Sequence, residues 1–229
     1  RYISTLCNRQ WLSILAAAGL MYFIYPTLPL DRYLTDLFFD TQSGFYFKHQ
    51  PFLEQFMHLG LKWLMVVVAL SALATSLASY WIIRLKVYRR PLLWIFVGMV
   101  ISTTMVAVLK RYNLHGCPWD LTMYGGDLPY FELFSAPPLG VKVGHCFPAG
   151  HPSGGFALLS FYFAFVHLRP RFASWMLWIA IAMGLAMGMA QVMRGAHFLS
   201  HVLWSGWVVW LVLLILYWIW PPLPIKTNS

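Results

Sequence analysis

The sequence predicts an all-α protein, a polytopic membrane domain of six transmembrane helices spanning residues 1–229. Three observations lead there. Hydrophobic residues make up 60% of the chain and charged residues only 10%, too few to cover a soluble domain of this size. The apolar residues fall in long runs, each near the roughly 20 residues that a helix needs to cross a bilayer. The basic residues gather in every second connecting segment, as orientation in a membrane requires.

The runs follow in order. The first, 11–30, is too long for a cleaved signal segment, and no small-residue cleavage site precedes Asp31, so it reads as a retained anchor. The chain starts at Arg1 rather than Met, and residues upstream are expected. Segment 31–60 mixes charges with Phe38, Phe39, Phe45, Tyr46, Phe47, Phe52 and Phe56, a composition expected of a helix lying in the interface. The next runs are 61–83, 91–109, 152–168, 173–193 and 202–220. Trp204, Trp207, Trp210, Trp218 and Trp220 of the last run are expected to be belt and packing residues.

With the N-terminus in the cytoplasm, segments 1–10, 84–90, 169–172 and 221–229 are cytoplasmic. They carry Arg1, Arg9, Arg84, Lys86, Arg89, Arg90, Arg169, Arg171 and Lys226, and no acid. All seven acids then fall on the opposite side. The formal charge is +9. No RNA- or DNA-binding motif accompanies it, so no nucleic-acid partner is expected. The excess suits loops touching anionic headgroups and a site for an anionic substrate.

Three polar clusters at span ends are not explained by the spans and are functional candidates. The third run ends in Lys110, followed by a segment through Cys117, Pro118 and Asp120. The fourth opens with Gly144-His145-Cys146-Phe147-Pro148-Ala149-Gly150-His151. Between the fifth and sixth stands Gln191-Val192-Met193-Arg194-Gly195-Ala196-His197-Phe198-Leu199-Ser200-His201. All three lie on one face by the topology above. Lys110 and Arg194 offer positive charge for a phosphate. Pro-Ala-Gly-His at a helix start presents free amides to an oxyanion. Two histidines remain to serve as nucleophile and proton donor.

The order and spacing of these residues resemble the type 2 phosphatidic acid phosphatase superfamily, whose helical core is shared with vanadium haloperoxidases. The family pattern is Lys-x6-Arg-Pro, then Pro-Ser-Gly-His, then Arg-x5-His-x3-Asp. This chain has Lys110-x6-Cys117-Pro118, Pro148-Ala149-Gly150-His151 and Gln191-x5-His197-x3-His201, and the resemblance covers about residues 61–220. It implies that His197 attacks phosphorus to form a phosphohistidine, and that His151 protonates the leaving oxygen and then activates water. Lys110, Ala149 and Gly150 would hold the phosphoryl oxygens, with no metal and no organic cofactor.

Three departures matter. Cys117 replaces an Arg, and Gln191 replaces the second Arg, although Arg194 lies three residues later, on nearly the same helical face. His201 replaces the acid that orients the nucleophile. On a continued helix it would lie one turn beyond His197, leaving either His201 or an outer-loop acid, Asp120 the nearest, to orient the ring. The resemblance implies a phosphatase acting on a membrane lipid: undecaprenyl diphosphate, phosphatidylglycerol phosphate, phosphatidic acid or a lipid A phosphate. A lipid phosphotransferase, or an inactive lipid-binding or transport member of the fold, are the alternatives. The expected setting is a bacterial inner membrane, with the site facing the periplasm; the oligomeric state stays open.

The four histidines His145, His151, His197 and His201 also admit a zinc reading, but the resemblance accounts for two of them without metal. Met123 and Pro152, five residues beyond Cys117 and Cys146, exclude a Cys-x5-Arg phosphatase loop. Those two cysteines are predicted to form a disulfide joining the first motif to the second. Both fall on the extracytoplasmic side, where disulfides persist, beside Pro-containing motifs that must meet around one phosphate. Cys7, on the cytoplasmic side, is expected to stay reduced, and Lys142 to be a loop charge.

Overall fold

A computed structural model describes the backbone of residues 2–140 and 144–223 and the side chains from residue 8 onward in those stretches. The Cys7 side chain and Lys142 lie outside what is described. Eight α-helices run through it: α1 (Tyr2–Gly19), α2 (Leu30–Asp36), α3 (Leu61–Ala78), α4 (Arg89–Arg111), α5 (Gly150–Phe156), α6 (Leu159–Phe165), α7 (Pro170–Met193) and α8 (Leu199–Ile219). A two-stranded antiparallel hairpin, β1 (Phe39–Asp40) and β2 (Gly44–Phe45), stands between α2 and α3.

The fold is helical and rich in membrane spans, but the predicted six are not all single helices. Four stretches are long and apolar enough to cross a bilayer: Phe52–Ala78, Ile83–Arg111, Pro170–Met193 and Leu199–Ile219. A fifth arises if Asn8–Thr27 and Leu30–Asp36, bent by 65°, are taken together. The predicted fourth span, 152–168, is divided into α5 and α6. At the division the amides of Leu158, Ser160 and Phe161 bond three residues back instead of four. The chain tightens there without leaving those amides unpaired, which an apolar surrounding would penalise.

Segment 31–60 is also not the single interfacial helix its composition predicted. It folds as α2, the hairpin and a wider-wound helical stretch, Phe52–Gly60, that runs into α3. Its aromatics divide: Phe39 and Phe45 pack against Tyr124, whereas Tyr46, Phe52 and Phe56 are exposed.

The core lies between α4, α6 and α8, where Trp94, Phe163 and Tyr217 are almost wholly buried and in mutual ring contact. The helices approach closely where side chains are small. A Cβ on Gly155 of α5 would fall within 2.7–2.9 Å of the Gly184 backbone of α7. The last span's tryptophans divide by face. Trp207 and Trp210 donate to Ile14 and Gln10 of α1, whereas Trp218 points outward with Trp63, Trp175 and Trp178.

Candidate active site

Backbone hydrogen bonds join the three motifs. Gly144, His145 and Cys146 donate their amides to the carbonyls of Leu114, Asn113 and His115, pairing the second motif with the chain that follows α4. The Ala149 amide bonds the His201 carbonyl at 3.0 Å, and the Trp119 amide bonds the Gly195 carbonyl at 2.9 Å. The predicted disulfide is present: Cys117 and Cys146 are bonded at 2.12 Å, with Cα atoms 5.1 Å apart.

Lys110 ends α4 beside the start of α5, so that a Cβ on Gly150 would lie 3.9 Å from its Nζ. The ammonium thus stands next to the amides at the opening of α5. His151, the second residue of that helix, has its Nε2 2.8 Å from the Met57 carbonyl. A carbonyl only accepts, so Nε2 carries hydrogen and Nδ1 keeps a lone pair.

His197 is not on a helix. The chain leaves α7 through Arg194 and turns at Gly195 with φ +73°, where a Cβ would also strike the Phe45 ring. It enters α8 only after Phe198. His197 is 5% exposed, and its Nδ1 lies 3.2 Å from the Cys146 sulfur. A disulfide sulfur has no hydrogen, so Nδ1 is the donor and Nε2 holds the free lone pair. Burial pushes His197 well below the usual imidazole range, and His201, Lys110 and His151 add to this. The ring is neutral at physiological pH.

The expectation that His201 orients His197 from one helical turn away is not met. Helix α8 begins only at Leu199, so the two are not on one helix; their ring centroids are 5.8 Å apart, and the Cys146 sulfur faces Nδ1 of His197 in its place. His201 is buried, and its Nδ1 has no partner among the described residues. Asp120 does not supply the missing acid either, since its carboxylate accepts the Trp119 indole N–H. The acid that reaches this region is Asp31 of α2, whose Oδ1 accepts the Ser200 amide at 2.8 Å.

Arg194 is buried. Its Nε donates to the Lys48 carbonyl at 3.1 Å, and Nη2 lies 3.4 Å from the Glu54 carboxylate. Gln191 is buried, and its Nε2 has no partner among the described residues. His145 is exposed, apart from the buried histidines. Cys117, Cys146 and His197 bring ligand-type atoms within 4.8 Å of one another, yet the sulfurs are bonded together and offer no thiolate.

Two residues absent from the sequence reading join the site. The His58 ring lies 4.4 Å from that of His151, and Lys62 stands one turn further along α3. Lys62 and Arg194 act electrostatically on both imidazoles. Their signal was present: a His and a Lys four residues apart, at the end of a long apolar run. His58, Lys62, Gly150 and His151 line the polar end of a groove of about 520 Å³, walled otherwise by apolar residues of α3 and α4 such as Met65, Ala69, Phe96 and Met99.

Several long apolar helices, with histidines and cations gathered near their ends, define a multi-pass membrane protein. The chain matches the sequence model of the PAP2 superfamily over residues 91–224, more than half its length, and it belongs to that family of phosphatase-type enzymes. No curated protein and no solved structure matches it. The matched region holds all three motifs, whereas Asp31, His58 and Lys62 lie upstream of it.

Proposed function

We propose that the protein is an integral membrane phosphatase that hydrolyses a lipid phosphate or diphosphate at the extracytoplasmic face, through a phosphohistidine on His197. The observation that carries this is the free Nε2 lone pair of a buried, neutral His197, in a site where Lys110 and the α5 amides adjoin an apolar groove. The groove takes the lipid's hydrocarbon and the polar end takes its phosphate. His197 Nε2 attacks phosphorus, and the P–O bond to the lipid breaks. The leaving oxygen takes a proton from His151 Nδ1, which the substrate's own negative charge helps to protonate. A water, deprotonated by the same nitrogen, then attacks the phosphohistidine, releasing phosphate and restoring His197.

Lys110, Lys62 and Arg194 stabilise the charge on the phosphoryl oxygens, which makes up for the motif cations absent at 117 and 191. Arg194 reaches substrate by exchanging the Glu54 carboxylate for phosphate. The charge pattern of the connecting segments supports a periplasmic site in a bacterial inner membrane.

Phosphate release by detergent-purified protein tests the reading. The panel is undecaprenyl diphosphate, phosphatidylglycerol phosphate, phosphatidic acid and lipid A. Release from at least one lipid, unaffected by EDTA, is expected. Release lost with EDTA and restored by zinc would instead favour a metal mechanism.

A further inference from the structure

Helix α8 starts without a cap of its own, because Phe198 at its N-cap has no side-chain acceptor. The missing acceptor comes from 169 residues away. Asp31 Oδ1 accepts the Ser200 amide and the Tyr25 hydroxyl, each at 2.8 Å, and the carboxylate also meets the Leu199 amide and the Ser200 hydroxyl. It thereby holds the first turn of the helix that follows His197 and carries His201. Beside this contact lies a cavity of about 20 Å³, lined by Asp31, His115, Tyr130, Ser200 and His201 among others. That volume accommodates one water. His201 is 3% exposed and its Nδ1 lacks a partner among the described residues, as a nitrogen awaiting a water would.

We infer that Asp31 is a positioning residue of the site, linked through one water in this cavity to Nδ1 of His201. The inference rests on the phosphatase reading above. Asp31 returns, from outside the family-matched region, the negative charge that His201 cannot supply. Attack on phosphorus places positive charge on the His197 ring, and a carboxylate behind its neighbour stabilises that charge while fixing the helix start that follows it. The other titratable groups facing His201 are His115, Lys110 and His197, and those facing Asp31 are Tyr25 and Tyr130. Among these groups Asp31 is the one carboxyl group.

The test separates charge from capping. Asp31→Asn keeps an acceptor for the α8 amides and removes the charge, whereas Asp31→Ala removes both. For Asp31→Asn, kcat is expected to fall about 10-fold with KM within about twofold. The acid limb of kcat/KM should move to lower pH, because a neighbouring anion no longer favours the protonated imidazole. His201→Asp in the same chain, which puts the charge back at position 201, should restore much of the lost kcat. Unchanged kcat and pH profile in Asp31→Asn, with only stability lost in Asp31→Ala, would reduce Asp31 to a cap and overturn the inference.

A second readout needs no substrate. The 15N resonance of His201 Nδ1 in micelles should shift on Asp31→Asn. If the wild type releases phosphate from no lipid, the phosphatase reading fails, and this resonance alone decides on Asp31. No shift would overturn the inference.

Discussion

At the scale of single residues, the site depends on which nitrogen of each histidine is free. The Met57 carbonyl occupies Nε2 of His151, and the Cys146 sulfur occupies Nδ1 of His197. His197 thus keeps Nε2 free and His151 keeps Nδ1 free, a division that motif spacing does not reveal. Arg194 is held by a second kind of constraint. Its Nε bond to Lys48 aims the guanidinium, and its contact with the half-exposed Glu54 contributes little by itself in a solvated setting. Lys has no Nε–H donor and no fork, so Arg194→Lys should lower kcat/KM by about 10-fold, equivalent to ~1.4 kcal/mol, in a lipid phosphate assay. Wild-type activity in Arg194→Lys alongside severe loss in Gln191→Ala would instead give the phosphate contact to the unpartnered Gln191 amide.

At the scale of elements, the disulfide and the helix breaks carry the argument. The disulfide joins segments 29 residues apart, for which loop-closure entropy implies about 3–4 kcal/mol of stability. It also places sulfur against Nδ1 of His197. Cys117→Ser/Cys146→Ser should therefore lower both the melting temperature in detergent and kcat, while a variant that melts and turns over like wild type would show the bridge to be dispensable. This element was legible in the sequence because topology put both cysteines on one side and each adjoined a Pro-containing motif. Lys110, His151 and His197 stand out in the sequence for a similar reason, as each sits in a contiguous polar cluster at a span end. The helix breaks were not. Hydropathy counts apolar residues and is blind to whether amides bond three or four residues back, so α5 and α6 read as one span. The start of α8 at Leu199, which leaves His197 off the helix of His201, and the Phe45 ring packed against Gly195 are announced by no local pattern.

At the scale of the whole molecule, the family-matched part and the segment before it share one site. Residues 91–224 supply the three motifs, but lack two motif cations and the motif acid. The first third of the chain delivers His58 and Lys62 to the groove and Asp31 to the start of α8. Their importance was hidden because it arises from packing across the bundle. In the proposed reading the substituted motifs are completed from elsewhere, and that reading stands or falls on whether His197 performs the chemistry. The most direct measurement is rapid quenching of the purified protein during turnover of a phosphate-labelled lipid, at alkaline pH to preserve a phosphoramidate, followed by peptide mass spectrometry. The account predicts phosphate on His197, accumulating further in His151→Ala and absent with turnover in His197→Ala. Undiminished phosphate release by His197→Ala would contradict it.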